Sequence, residues 1–183
     1  LLLGTAWESA LDTATHEILE RDYLPVHLST RRWFAGKART LRTVTIRDHV
    51  RLRGGSEPVF VLLVDVTFDQ GSETYVMPVA FLGGRAADDL LQESPDLVIA
   101  RVSGARRGVL HERLDWGVAQ LLLDAIAGNR TFPGTAGQLV GWSTSAFSEL
   151  HGPPGTGETL PVRRSSTEQS NTSFLFGDRL ILK

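Results

Sequence analysis

The stretch "PVFVLLVDVTFDQGSETYVMPVAFL", residues 58–82, decides the fold. Its opening run, "PVFVLLVDVTF", is almost continuously apolar and rich in β-branched and aromatic residues, the composition of a strand in the middle of a sheet. Asp69, Gln70, Gly71 and Ser72 form a strong turn signal. The second run, "ETYVMPVAFL", then follows on a connection far too short for a crossover, so the pair is antiparallel. Pro78 has no N–H to give to a ladder, which predicts a free side or a bulge at that point.

Working outward, "TVTIRDHVRL" (residues 43–52) alternates. Val44, Ile46, Val50 and Leu52 share one face, with Thr45, Arg47, His49 and Arg51 on the other, as in a half-buried strand. Gly54 and Gly55 turn it into the strand that follows. At the start of the chain, Thr5 and Glu8 have capping-box spacing, and Trp7, Leu11, Ala14 and Ile18 fall on one helical face. Pro25 ends this helix or starts a second short one. The helix is expected to cover the apolar face of the three-stranded sheet. Between them lies "STRRWFAGKAR" (residues 29–39), read as a loop anchored by Trp33 and Phe34 with Arg31, Arg32, Lys37 and Arg39 exposed.

Downstream, Gly83 and Gly84 break the pattern, and Asp88 and Asp89 read as a solvated turn or helix cap rather than a metal pair. "DLVIARV" is a further short strand. A second helix starts at Asp115, carries Val118, Leu121, Leu122, Ala125 and Ile126 on one stripe, and stops at Gly128. "GQLVGW" reads as a strand and "HGPPGTGE" as a loop. The last segment resolves into three short strands near 159–167, 173–176 and 179–183, the last two joined at Gly177 and Asp178. The whole is α+β: an N-terminal helix packed on an antiparallel sheet, then a smaller unit ending in a β-hairpin.

The chain has 183 residues, 42% of them hydrophobic and 22% charged, with a net charge of −2 and no block of Lys or Arg. A nucleic-acid partner is therefore not expected. The absence of cysteine excludes disulfides and Cys-ligated zinc. The opening apolar run is too short to span a bilayer and has no signal-peptide pattern, so the expected location is cytoplasmic, with no membrane partner. The five histidines show no H-E-x-x-H or other paired metal spacing, and neither G-x-S-x-G nor a P-loop occurs. No catalytic residue and no metal ligand is expected within these residues.

The terminal segment "STEQSNTSFLFGDRLILK" (residues 166–183) places a polar turn between two strands and a lysine at the end of a third. In a kinase N-lobe such a turn offers N–H groups and hydroxyls to phosphates, and a third-strand lysine reaches them too. Taken alone the pattern is weak, because hairpins ending in lysine occur in very many folds.

"EQSNTSFLFGDRLILK" resembles the hallmark stretch of maltokinases, and "RRWFAGKAR" resembles the arginine–tryptophan motif near the start of that family's N-terminal cap. The opening residues are similar to maltokinase modules fused behind a trehalose synthase. The resemblance implies a cap over residues 1–108, followed over 109–183 by an intermediate segment and an incomplete kinase N-lobe. It implies an ATP-dependent transfer of phosphate to maltose, giving maltose 1-phosphate for α-glucan synthesis. It places Ser170, Asn171, Thr172 and Ser173 over the phosphates and makes Lys183 the nucleotide lysine. Mg²⁺ ligands, catalytic base and sugar pocket would lie in a C-lobe beyond Lys183, so the chain is expected to be an inactive piece of the complete enzyme. Two alternatives remain: the cap of another sugar kinase, such as a glucosamine kinase, or a non-catalytic module docking onto trehalose synthase or onto a second copy of itself.

Overall fold

The computed structural model describes residues 2–3, 7–151, 160–165 and 172–183. In chain order the elements are β1 (Leu2–Leu3), α1 (Thr13–Ile18), α2 (Leu24–Thr30), β2 (Leu41–Arg53), β3 (Val59–Phe68), β4 (Ser72–Gly83), α3 (Gly84–Glu93), β5 (Val98–Gly104) and β6 (Gly108–Glu112). There follow α4 (Trp116–Ala127), β7 (Thr131–Pro133), β8 (Gln138–Val140), α5 (Ser145–His151), β9 (Val162–Arg164), β10 (Phe174–Phe176) and β11 (Leu180–Leu182).

The main sheet has the order β1-β5-β6-β4-β3-β2. It is antiparallel except where β1 runs parallel to β5. β3 is its buried centre, as the apolar run predicts. β6 pairs with β4 only from Val79 to Gly83, so Pro78 sits where that ladder ends and, among the described residues, the strand from Ser72 to Met77 keeps a free edge. The terminal strands form their own sheet, β11-β10-β9, and β7 and β8 form a hairpin. The α+β architecture expected from the sequence is thus observed.

The N-terminal helical segment is not one regular helix. A 3-10 turn over Trp7–Leu11 leads to α1, a π-wound turn over Leu19–Tyr23 leads to α2, and Pro25 lies in the first turn of α2, where its missing N–H costs no helical bond. Each change of winding resets the face. Trp7, Leu11, Leu19, Leu24 and Leu28 are buried, while Ile18, expected on the same face, is 38% exposed. Thr5, the expected cap, lies outside the described residues. Trp7 stacks on Phe81 at 5.4 Å and donates from Nε1 to the carbonyl of Ser56.

β2 departs from its expected alternation in an informative way. A bulge between Ile46 and Asp48 shifts the register against β3. Ile46 pairs with Val64, and both enter the core beneath the N-terminal helices. Val50 pairs with Val61, and these two with Leu52 form a separate core on the opposite face, beside Leu122, Phe132 and Leu139. Val44 and Ile46 therefore do not share a face with Val50 and Leu52. The burial alternation survives because both faces are covered.

α4 supplies much of that second cover. Asp115 caps it, its Oδ1 accepting from Val118 N at 2.9 Å. Val118 packs on Val59 and Ala80 of the main sheet, while Ala119 and Leu123 pack on Leu160, Phe174 and Phe176 of the terminal sheet. Asp88 and Asp89 lie exposed in α3 rather than in a turn; Ala87 is the one buried residue of that helix. None of the described helices is long and apolar enough to cross a membrane.

Candidate nucleotide cleft and its cap

The loop over residues 31–39 is held by a buried carboxylate. Glu112, on β6, is 1% exposed. Its Oε1 accepts from Trp33 Nε1 at 2.7 Å. Its Oε2 lies 3.1 Å from His27 Nε2 and 2.6 Å from Arg31 Nε, the latter a charge contact without hydrogen-bond alignment. Arg31 also donates from Nη1 to both the carbonyl and the carboxylate of Asp96, at 2.9 Å each. Burial of a lone carboxylate would be costly, and three polar partners on two neighbouring elements offset it.

The expectation that Arg31, Arg32, Lys37 and Arg39 are all exposed is corrected for two of them. Arg39 lies over the Phe68 ring, 3.7 Å from its centroid, and pairs with Glu73. Glu73 also accepts from the Tyr75 hydroxyl. Burial, and then that carboxylate, push the Tyr75 phenol up to about 12. Trp33 and Phe34 do anchor the loop, each meeting Tyr75, and Phe34 also meets Phe68. Gly36 is required there, since a Cβ would stand 2.4 Å from the Phe68 ring.

A cleft of ≈ 540 Å³ runs between the free edge of β4 and the terminal sheet. Its cap-side wall includes Trp33, Tyr75 and Glu112; its floor is Val118, Ala119 and Leu122 of α4; its far wall is Thr172, Phe174, Leu182 and Lys183. Of the five residues expected at the phosphates, Thr172 and Lys183 thus meet at one cleft. Ser173 is buried, its carbonyl accepting from Ser165 N at 2.8 Å. Ser170 and Asn171 lie outside the described residues.

Residues 27–114 match the family described as the maltokinase N-terminal cap domain. Over those residues the chain is similar to a maltokinase cap. No curated protein matches it. The matched segment begins at His27 and ends two residues beyond Glu112, so the buried contact between these two side chains ties the cap's ends together. Arg31 and Trp33, singled out from the sequence, prove to be the other partners of that glutamate. Glu112 itself was missed: a single Glu ending the apolar run "GVLHE" gives no linear sign that its partners lie about 80 residues earlier. The cap reaches the terminal strands, since Trp33 and Tyr75 share the cleft with Thr172 and Lys183.

Proposed function

We propose that this chain is the N-terminal part of an ATP-dependent maltokinase, which phosphorylates maltose to maltose 1-phosphate. The observation that carries the reading is the meeting of Thr172 and Lys183 at a cleft walled by the maltokinase cap. The residues suit a nucleotide's phosphates. Lys183 is exposed at the end of β11 and offers an ammonium, and Thr172 offers a hydroxyl. The cleft's two carboxylates do not oppose an anion as bare charges, because Arg39 pairs with Glu73 and Arg31 with Glu112. The apolar floor makes each charge-assisted contact stronger than it would be in water.

On this reading ATP with Mg²⁺ supplies the phosphoryl group. Lys183 neutralises phosphate charge, and Thr172 with Ser170 and Asn171 of the same motif provides hydroxyl and amide donors. The acceptor sugar, the base and the Mg²⁺ ligands are assigned to a C-terminal lobe outside these residues.

The test is Lys183→Ala in the complete kinase, assayed for maltose 1-phosphate with circular dichroism as the control for folding. Turnover should fall on the order of 100-fold, as when a preorganised charge contact is removed. Unchanged turnover in a folded variant would sink the assignment. Assay of the unmodified enzyme with glucosamine beside maltose decides the acceptor.

A further inference from the structure

A second cavity lies on the other side of the main sheet, where α1 crosses β2, lined in part by Asp12, His16, His49, Arg51, Phe60 and Thr135. His16 and His49 are 33 positions apart in sequence, yet their rings meet edge to face at 5.4 Å, with an interplanar angle of 85°. His16 Nε2 and His49 Nδ1 are both buried, and neither has a hydrogen-bond partner among the described residues. One buried orphan of this kind calls for an explanation; two in contact point to a shared ligand.

We propose that His16 and His49 form a binding site for a divalent transition-metal ion of the zinc type, with the Asp12 carboxylate drawn in as third ligand. The ring separation fits. With a metal–nitrogen bond of about 2.05 Å, an imidazole centre lies about 3.2 Å from the ion, and a tetrahedral angle then sets two ring centres about 5.2 Å apart. Asp12 stands at the start of α1 and its side chain makes no cap hydrogen bond, so it is available to move. In the present conformation no three such side chains stand within coordinating reach among the described residues.

The charged groups around the pair decide between a cation and an anion. Arg47 is engaged with Asp65 and Thr74, and Arg51 has a partner of its own. Asp12, Glu20 and Asp48 set negative charge around the imidazoles. Burial holds both histidines below the usual imidazole range, and His16 lowers His49 further, so at neutral pH both present lone pairs, as metal ligands must. The ion would join the N-terminal helices to β2 just beyond the bulge.

Thermal unfolding of the 183-residue chain with excess ZnCl₂, with EDTA and with inorganic phosphate tests this. Zinc should raise Tm by roughly 5 °C, reversed by EDTA, and the rise should vanish in His16→Gln and in His49→Gln. Because the readout is the difference with and without metal, a general loss of stability in either variant does not imitate the result. In the unmodified chain, Ni²⁺ should broaden two of the five histidine imidazole signals, which covers the case of a variant that fails to fold. A zinc response kept in both variants, no zinc response, or stabilisation by phosphate instead would each overturn the proposal.

Discussion

Asp48 Oδ1 accepts both the backbone N–H and the hydroxyl of Thr135, at 2.7 Å each, across a gap of 87 positions in sequence. Ala136 N and His49 N donate to the same oxygen. This carboxylate, 4% exposed, fastens the β7–β8 hairpin to the bulged strand. Burial alone would raise its pKa, but the Thr135 hydroxyl and the three backbone donors outweigh burial and bring it down to about 2. A folded value below the unfolded one means stability that is present above the ordinary Asp value and lost as pH falls toward 2. The shift corresponds to about 2.5 kcal/mol. Asp48→Ala should cost about 2–3 kcal/mol in urea unfolding at pH 7 and should flatten the acid limb below pH 4, which a titration of stability against pH will show.

Gly134 sits against the same carboxylate. A Cβ there would stand 2.6 Å from Asp48 Oδ2, so Gly134→Ala should destabilise by about 1–3 kcal/mol. The two substitutions should not add. In a double-mutant cycle the alanine at position 134 should cost much less once Asp48 is gone, since the clash goes with it. Simple additivity would place the strain elsewhere.

A second acid-sensitive step is expected at higher pH. His16, His49 and His111 are each held below the ordinary imidazole value, in every case chiefly by burial. Unfolding frees them to bind protons, so stability should fall as pH drops below about 6.5, well before Asp48 titrates. His111→Phe should reduce this step while leaving the lower one in place, as followed by denaturant midpoint between pH 7.5 and 5.

Removing the hub of the cap should be severe. Glu112→Ala leaves Trp33 and His27 facing a buried space without that acceptor and strips Arg31 of its buried countercharge, an expected loss of about 3–5 kcal/mol. Arg31→Lys should also destabilise, because one ammonium cannot contact Glu112 and hold both acceptors of Asp96 as the guanidinium does. Denaturant midpoints of the two variants check the order, Glu112→Ala being the lower.

The parts of the fold that bury continuous apolar surface were legible in the sequence. β3, the turn into β4, the free edge at Pro78 and α4 with its Asp115 cap all follow from local pattern. The parts that were not legible lack a local driving pattern. α3 buries only Ala87 and begins at Gly84 with φ +58, so it reads as a break. α5 buries no residue. The bulge in β2 is nearly silent because Val44, Ile46, Val50 and Leu52 keep one phase of period two across it; the one clue is Asp48, a charge on that buried phase. The site was half legible. Arg31, Trp33, Thr172 and Lys183 stood out by motif, whereas Glu112, Tyr75 and the meeting of His16 with His49 depend on contacts between residues far apart in the chain.

α4 has a mechanical consequence. Val118 faces the cap's sheet and Ala119 and Leu123 face the terminal one, so a single shaft is gripped from two sides. Swinging the terminal strands away from the cap would strip apolar surface from one grip or the other. These two parts therefore ought to travel as one lever, so that a pull on the terminal strands is carried through α4 into the cap's sheet.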